Sequence, residues 1–268
     1  MARGVLPDDG PARIGSVRLP PGSRHYTERD NQVAAWVTEQ PLAEAGQLWL
    51  ALSDLHGETG LAPVLLVDAL WNADQASAAP PYFGFGSTAD AGFADQMSAE
   101  NVLAAQWPRG ADDFRVMQAD ISPFGGEFPG LARAGDSPFS RQELAGAVGP
   151  VPPSHLGVVS AGRSADVPPV VGWSVFGSDG FGPEARSLEV ATVLRSWEAR
   201  FGARLLRIGS DATLQVLVER PPRSLDAARR VAAEHWAFAD ECAGLGLRDV
   251  ESIAATIVNA PIWTFWWD

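Results

Sequence analysis

The residues best suited to chemistry lie late in the chain, on two segments with helical spacing. Glu198 lies on the first segment, and Glu234, His235 and Asp240 lie on or just after the second. A histidine beside a carboxylate can act as a general base, because the carboxylate orients the imidazole and stabilises its charged form. These four residues are therefore the candidate catalytic residues of a small hydrolase.

The same residues also have a structural interpretation. Val231, His235 and Phe238 follow the spacing i, i+4, i+7, which places the histidine on the apolar stripe of its helix. A histidine buried there needs a hydrogen-bond partner, and we expect Glu198 of the neighbouring helix to provide it. Glu198 also follows Arg195 by three residues, which is the spacing of an ordinary surface ion pair.

Several catalytic chemistries lack the residues they need. The chain has no lysine, which excludes a Walker-type phosphate loop and a Schiff-base lysine. Its one cysteine, Cys242, excludes an intramolecular disulfide and a thiolate zinc cage. The zinc-binding motif HExxH is absent, and so is the serine-nucleophile motif GxSxG. We expect no metal and no cofactor. An all-carboxylate magnesium site using Asp68, Asp112 or Asp113 is the weakly supported alternative.

Aromatic and arginine side chains are the distinctive remaining content. The chain ends in WTFWWD, and strand alternation places Trp263 and Phe265 on one face and Trp266 on the other. We expect most of these rings to form core, and the alternative is an aromatic stacking platform on an open face of the sheet. The candidate binding residues are Arg200, Trp197, Trp236, Trp266 and Asp268.

The formal net charge of -13 argues against nucleic acid as a partner, because an acidic chain repels phosphate backbones. Residues 195–230 differ, since they hold eight arginines and four acids. This stretch is either a solvated face of mixed charge or a site for a small anionic ligand. With no apolar run of about 18 residues and no signal-peptide pattern, we expect a cytoplasmic protein without membrane contact.

Hydrophobic periodicity and turn residues predict an α+β protein with a boundary near residue 154. Residues 1–154 form a smaller α/β half with long Gly/Pro-rich loops, and residues 1–30 are expected to be partly irregular. The elements predicted along the chain are helices at about 41–56, 99–107, 188–201, 225–242 and 250–259 and strands at 63–67, 155–160, 204–209, 213–219 and 262–268.

In the half formed by residues 155–268, the order of elements is strand, helix, hairpin, two helices, strand. This order is typical of the ferredoxin-like βαββαβ fold, with one sheet and helices packed on one of its faces. We expect the terminal aromatic strand to be an inner strand of the sheet that contains the hairpin.

Four segments occur in a characteristic order: SWEARFGAR (196–204), PP (221–222), AAEHWAFAD (232–240) and WTFWWD (263–268). This set resembles the signature of the bacterial domain-of-unknown-function family 4253, and residues 155–173 resemble the opening of that family. The resemblance covers about residues 155–268. Where the family has cysteine–proline–aspartate, this chain reads Ala239-Asp240-Glu241. The resemblance implies a fold and a motif set and no activity.

The leading hypothesis is a non-enzymatic binding or interaction protein, for example one that neutralises a toxin with a basic surface. The alternative is the small hydrolase using Glu198, Glu234, His235 and Asp240. Geometry separates them: convergence of these side chains on a concave pocket supports the enzyme, and a His235 sealed beneath helices argues against it.

Overall fold

The computed structural model describes residues 4–27, 31–67, 89–107, 121–173, 183–209, 212–239 and 249–267. The strands are β1 (Gly10–Ile14), β2 (Val17–Tyr26), β3 (Val33–Thr38), β4 (Leu61–Val67), β5 (His155–Ser160), β6 (Arg204–Gly209), β7 (Thr213–Leu217) and β8 (Ile262–Trp266). They form one sheet in the order β1-β2-β3-β5-β4-β6-β7-β8. Neighbouring strands are antiparallel except β4 and β6, which are parallel.

The helices are α1 (Ala45–Thr59), α2 (99–107), α3 (Arg141–Val148), α4 (Val167–Val171), α5 (Pro183–Phe201), α6 (Leu225–Phe238) and α7 (Val250–Ile257). Short 3-10 turns cover Ala91–Gln96 and Ser164–Asp166. Ser224 and Asp249 cap α6 and α7 by accepting hydrogen bonds from backbone N–H groups, as their sequence positions predict. None of the helices in the described ranges is long and apolar enough to cross a membrane.

The two faces of the sheet carry separate hydrophobic cores. On one face, α1 and α3 pack over side chains such as Leu65, Leu156 and Leu206. On the other face, α2 and α4 to α7 pack over Val64, Ile208 and their neighbours. The helices of the C-terminal half therefore lie on one face together with α2, and α1 and α3 of the N-terminal half add a layer on the opposite face.

The predicted mixture of helices and strands is confirmed, but the ferredoxin-like arrangement is not. In that fold the first strand lies between the third and the fourth. Here β4, from the N-terminal half, lies between β5 and β6. Element order along a chain does not specify which strands pair: here the third and fourth strands of the unit, β7 and β8, pair directly with each other, and the first strand, β5, lies beyond β4. Because one sheet includes strands from both halves, the division at residue 154 stays a prediction.

The terminal aromatic segment pairs with the hairpin, as expected. Strand β8 runs antiparallel to β7, with Phe265 opposite Leu214 and Trp263 opposite Val216. The prediction of an inner strand is wrong, because β8 lies at the edge of the sheet. Helices on one side are enough to bury Trp263 and Phe265, so this burial does not require a second neighbouring strand.

The expectation of partly irregular structure at residues 1–30 fits residues 4–9, which form neither helix nor strand, whereas most of residues 10–26 belong to strands. Strands β1 and β2 form a hairpin whose register shifts between Pro11 and Ala12. Proline is tolerated in edge strands and at bulges, so a proline-rich segment can still join the sheet there. The helix predicted at 188–201 begins one turn earlier, at Pro183, since proline suits the first turn of a helix.

Candidate functional site

Glu234 lies at the centre of a buried polar cluster, which we call the Glu234 cluster (Glu234, Arg200, Trp197 and Ala132). Arg200 donates from Nη1 to Oε1 at 2.7 Å and from Nη2 to Oε2 at 2.6 Å. The indole Nε1 of Trp197 and the backbone N–H of Ala132 donate to the same carboxylate at 2.8 and 2.6 Å. Four donors occupy the acceptor positions of this fully buried carboxylate, which leaves none for a substrate.

The helical repeat explains how the cluster forms. Trp197 and Arg200 are three residues apart on α5, so both point toward the same side of the helix and reach one acceptor on α6. Arg200 also donates to the carbonyl of Ala132 at 2.9 Å. The cluster therefore joins α5, α6 and the Gly/Pro-rich segment before α3, and its role in the structure is to hold these three parts together.

His235 is sealed inside an aromatic box. The imidazole lies 5.2 Å from the ring of Trp197, 4.6 Å from Trp263 and 4.7 Å from Phe265, measured between ring centroids. The residue is 3% exposed, and its Nε2 has no hydrogen-bond partner. Burial lowers the pKa of His235 from 6.5 to about 3, so the side chain stays neutral at physiological pH.

The expected hydrogen bond between Glu198 and His235 is absent. Neither His235 Nε2 nor Glu198 Oε2 has a hydrogen-bond partner within the part of the chain that the structure describes. The physical reason is the rotation of about 100° per residue along a helix, which directs Trp197 toward α6 and its neighbour Glu198 elsewhere. The four catalytic candidates do not converge: Glu234 and His235 are in the core, Glu198 lines a surface cleft, and Asp240 lies outside the described residues.

The aromatic binding candidates are mostly core residues. Trp197 is completely buried, and Trp236 is 3% exposed and packs edge-to-face on Trp107 at 5.1 Å. Trp266 is half-buried on the edge strand. Asp268 lies outside the described residues, as do Cys242 and the magnesium candidates Asp68, Asp112 and Asp113. Within the described ranges, no group of three or more His, Cys, Asp or Glu side chains is placed to hold a metal ion.

A cleft of about 620 Å³, which we call the polar cleft, lies where the loop after β5 meets α5 and the end of α1. Its lining contains four acids and two arginines, together with a histidine of α1: Asp90, Asp95, Asp166, Glu198, Arg163, Arg195 and His56. Of the sequence candidates only Glu198 lies here. Acids therefore outnumber arginines in this cleft.

Arg195 is paired with two carboxylates in the polar cleft. Its Nε donates to Asp166 at 2.6 Å, Nη1 to Asp95 at 2.7 Å and Nη2 to the Ala91 carbonyl at 2.7 Å. Two carboxylates thus neutralise this guanidinium. Arg163, by contrast, is exposed and has no ion-pair partner among the described residues.

Glu198 is the unusual acid of the polar cleft. Its Oε2 is buried and has no hydrogen-bond partner among the residues that the structure describes. Burial raises the pKa of Glu198, and the charge of Arg163 opposes that rise. The carboxyl group therefore has an unused acceptor atom in a partly desolvated position, where a donor from a ligand would stabilise it.

Sequence reasoning missed most of the polar cleft. Arg163 and Asp166 come from the segment after β5 and His56 from the end of α1, so no local spacing links them to Glu198. The His56 Nε2–H donates to the carbonyl of Ala161 at 2.7 Å, which fixes the end of α1 beside the loop after β5. The only available sequence signal was the Arg195–Glu198 spacing, which placed both side chains on one side of α5.

Seven of the eight arginines at 195–230 bind acceptors within the protein. Arg200, Arg204 and Arg229 form ion pairs with Glu234, Glu219 and Glu251, in addition to the Arg195 pairs. Others donate to neutral oxygens: Arg220 to Ala199, Arg223 to Ser137 and Asn259, and Arg230 to Pro129. The stretch is therefore largely a set of structural contacts, and only arginines without carboxylate partners retain an uncompensated charge.

Comparison with known proteins gives one match. No curated protein and no solved structure matches the chain. All helices and strands that contribute to the Glu234 cluster and to the aromatic box lie after residue 154. The ordered sequence motifs occur in the same part of the chain. Residues 155–268 match the family model described as Domain of unknown function (DUF4253), the family that those motifs resemble.

Proposed function

We propose that this protein is a non-enzymatic binding module that accepts a basic group of a protein partner in the polar cleft and thereby neutralises that partner. The observation that carries the proposal is the buried, unpartnered Oε2 of Glu198 in a cleft where acids outnumber arginines. A guanidinium or ammonium group supplies both the missing hydrogen bond and the missing positive charge.

The charge of the whole chain supports the same partner. A net charge of -13 attracts a basic protein over long distances and accelerates its association. Within the cleft, Arg195 cannot repel an incoming cation strongly, because Asp166 and Asp95 already neutralise it. Arg163, at the exposed rim, can turn toward solvent when a cation enters.

The burial of Glu234 and His235 supports a non-enzymatic role. A general base must reach the proton that it removes, and both side chains are in the core with no route to a substrate. Among the candidates that the structure describes, the hydrolase alternative then depends on Glu198, whose raised pKa is also a property of general acids. If Glu198→Gln abolished a hydrolase activity found in a broad substrate screen, the enzyme hypothesis would replace the binding proposal.

The test is affinity capture from cell lysate at low salt with the immobilised full chain. Glu198→Gln removes the charge at the site, and Glu127→Gln removes one charge from an exposed acid that does not line the cleft. We expect a stoichiometric basic partner with the wild type and with Glu127→Gln. A charge-assisted hydrogen bond contributes about 1.5–3 kcal/mol, so Glu198→Gln should weaken binding by at least about tenfold.

Two results would overturn the proposal. The first is the absence of any stoichiometric partner at low salt. The second is equal affinity of the partner for wild type and Glu198→Gln, which would show that the polar cleft is not its binding site.

A further inference from the structure

A second cleft, of about 700 Å³, lies between residues 131–137 and the beginning of α6. We call it the arginine cleft, because Arg133, Arg223 and Arg230 line it. None of the residues that line it lines the polar cleft. Its volume is within the range of about 300–1,000 Å³ that is usual for small-molecule sites.

Arg223 is held in place by neutral groups. Its guanidinium stacks over the Phe139 ring at 4.1 Å, Nη1 donates to the Asn259 side-chain oxygen at 3.1 Å, and Nη2 donates to the Ser137 carbonyl at 2.9 Å. A guanidinium has five N–H donors, so three remain unused. The group is therefore fixed in orientation while its charge is uncompensated by a direct ion pair.

The other two arginines of the cleft also have no carboxylate partner among the described residues. Arg230 donates from Nη1 to the Pro129 carbonyl at 2.6 Å and has no carboxylate partner in the described ranges. Arg133 is exposed, and no hydrogen bond or ion pair joins it to any residue that the structure describes. Three guanidinium groups with unused donors thus surround one concave surface.

The acids near this cleft do not cancel the positive charge. Asp136 and Asp226 line it, so arginines outnumber acids three to two. Asp226 is 95% exposed and lies 3.8 Å from Arg229. Glu143 is close enough for Arg223 to help lower its pKa, but that carboxylate mainly accepts the hydrogen bonds of Ser140 in the capping box of α3.

We propose that the arginine cleft binds a small molecule through a phosphate group. Phosphate offers several oxygens that match the planar fork of a guanidinium. Arg223 is held in one orientation by its contacts with Phe139, Asn259 and Ser137 and retains unused donors. The unneutralised arginines supply the charge, and the cavity has room for more than a bare phosphate ion. The net charge of -13 disfavours a nucleic-acid backbone as the source of that phosphate.

The test is calorimetric titration of the full chain at low salt with inorganic phosphate, with glycerol 2-phosphate and with acetate. We expect saturable binding of the two phosphate compounds and at least tenfold weaker binding of acetate. Tighter binding of glycerol 2-phosphate than of inorganic phosphate identifies a phosphomonoester as the ligand class, and equal binding identifies free phosphate.

The variants locate the site. Arg223→Gln should weaken phosphate binding about tenfold and Arg133→Gln about threefold. Arg18→Gln, at an exposed position on β2, should leave the affinity unchanged. Because Arg133 makes no contact that folding needs, its variant remains informative if Arg223→Gln unfolds.

The proposal is overturned if neither phosphate compound binds saturably, or if Arg133→Gln and Arg223→Gln bind as tightly as Arg18→Gln. Since Glu198→Gln should leave phosphate affinity unchanged, failure here is distinct from failure of the partner-binding proposal.

Discussion

The polar cleft and the arginine cleft contain the same types of side chain in opposite states. In the polar cleft, carboxylates engage Arg195, and the buried atom without a hydrogen-bond partner among the described residues belongs to an acid, Glu198. In the arginine cleft, neutral oxygens hold Arg223 and Arg230, so positive charge is left over. The comparison teaches that the internal partners of a charged side chain, more than its type, decide what it can offer a ligand.

The Glu234 cluster is the limiting case of this comparison, because there acid and arginine satisfy each other completely. The carboxylate and the Arg200 guanidinium form two hydrogen bonds in the core. Removal of one partner from such a pair leaves a buried charge that nothing compensates. Substitutions in the cluster should therefore lower stability strongly and change binding little. Substitutions in either cleft should weaken binding and change stability little.

The largest expected effect is that of Glu234→Ala on stability. The substitution leaves the Arg200 guanidinium, the Trp197 indole N–H and the Ala132 N–H without their acceptor, and it should lower the free energy of unfolding by about 3–5 kcal/mol. Urea denaturation measures this loss. Arg223→Gln, measured alongside, should cost under about 1 kcal/mol; comparable losses in both variants would remove the distinction between structural and available arginines.

The next largest expected effect is the contribution of His235 to the pH dependence of the free energy of unfolding. Its pKa is about 3 in the folded protein and 6.5 when exposed, so below pH 6.5 the unfolded chain binds more protons than the folded one. Stability should therefore fall as the pH falls from 6.5 toward 3, by about 2 kcal/mol between pH 6.5 and pH 5 from this group.

His235→Leu should remove that contribution, which is measured as the difference in unfolding free energy between pH 7 and pH 5 for the two proteins. Comparison with the wild type corrects for other titrating groups, including His25, whose pKa burial also lowers. Equal pH dependence in the two proteins would mean that His235 is accessible to protons in the folded state, which would favour the enzyme hypothesis.

The smallest expected effect is that of Glu198→Gln on stability, and it is not a loss. Burial disfavours the charged form of Glu198, so Glu198→Gln should leave the unfolding free energy equal or raise it by under about 1 kcal/mol. The measurement is urea denaturation at pH 7, with Glu127→Gln as the reference for loss of one surface charge. A loss of more than 1 kcal/mol would show that Glu198 has a structural role like that of Glu234.

Local features of the fold were predictable from the sequence. Ser224, Asp249 and the aromatic alternation from Trp263 to Phe265 specify helix starts and one buried face, because caps and two-residue periods depend on neighbouring residues only. The position of β4 between β5 and β6 was not predictable, since a buried apolar strand fits between many partners.

The site was less predictable than the fold. Glu234 and His235 look reactive as residue types, and only the surrounding Trp197, Trp263 and Arg200 show that they are enclosed. Arg163 lies in the segment 155–173 that resembles the opening of the family, but that resemblance implies no role for its side chain. Long-range contacts determine both the enclosure of Glu234 and His235 and the position of Arg163 in the polar cleft. The spacing of residues along the chain contains no information about such contacts.

The most direct test compares two exposed arginines that form no ion pair with any residue in the described ranges, Arg133 in the arginine cleft and Arg163 in the polar cleft. The measurement is an NMR titration of the full chain, labelled with ¹⁵N-arginine, with inorganic phosphate at low salt. The account predicts saturable shifts of the Nε–H signals of Arg133, Arg223 and Arg230 and none for Arg163. Equal or larger shifts at Arg163 would contradict it, because the charge balance of each cleft would then not determine what the cleft binds.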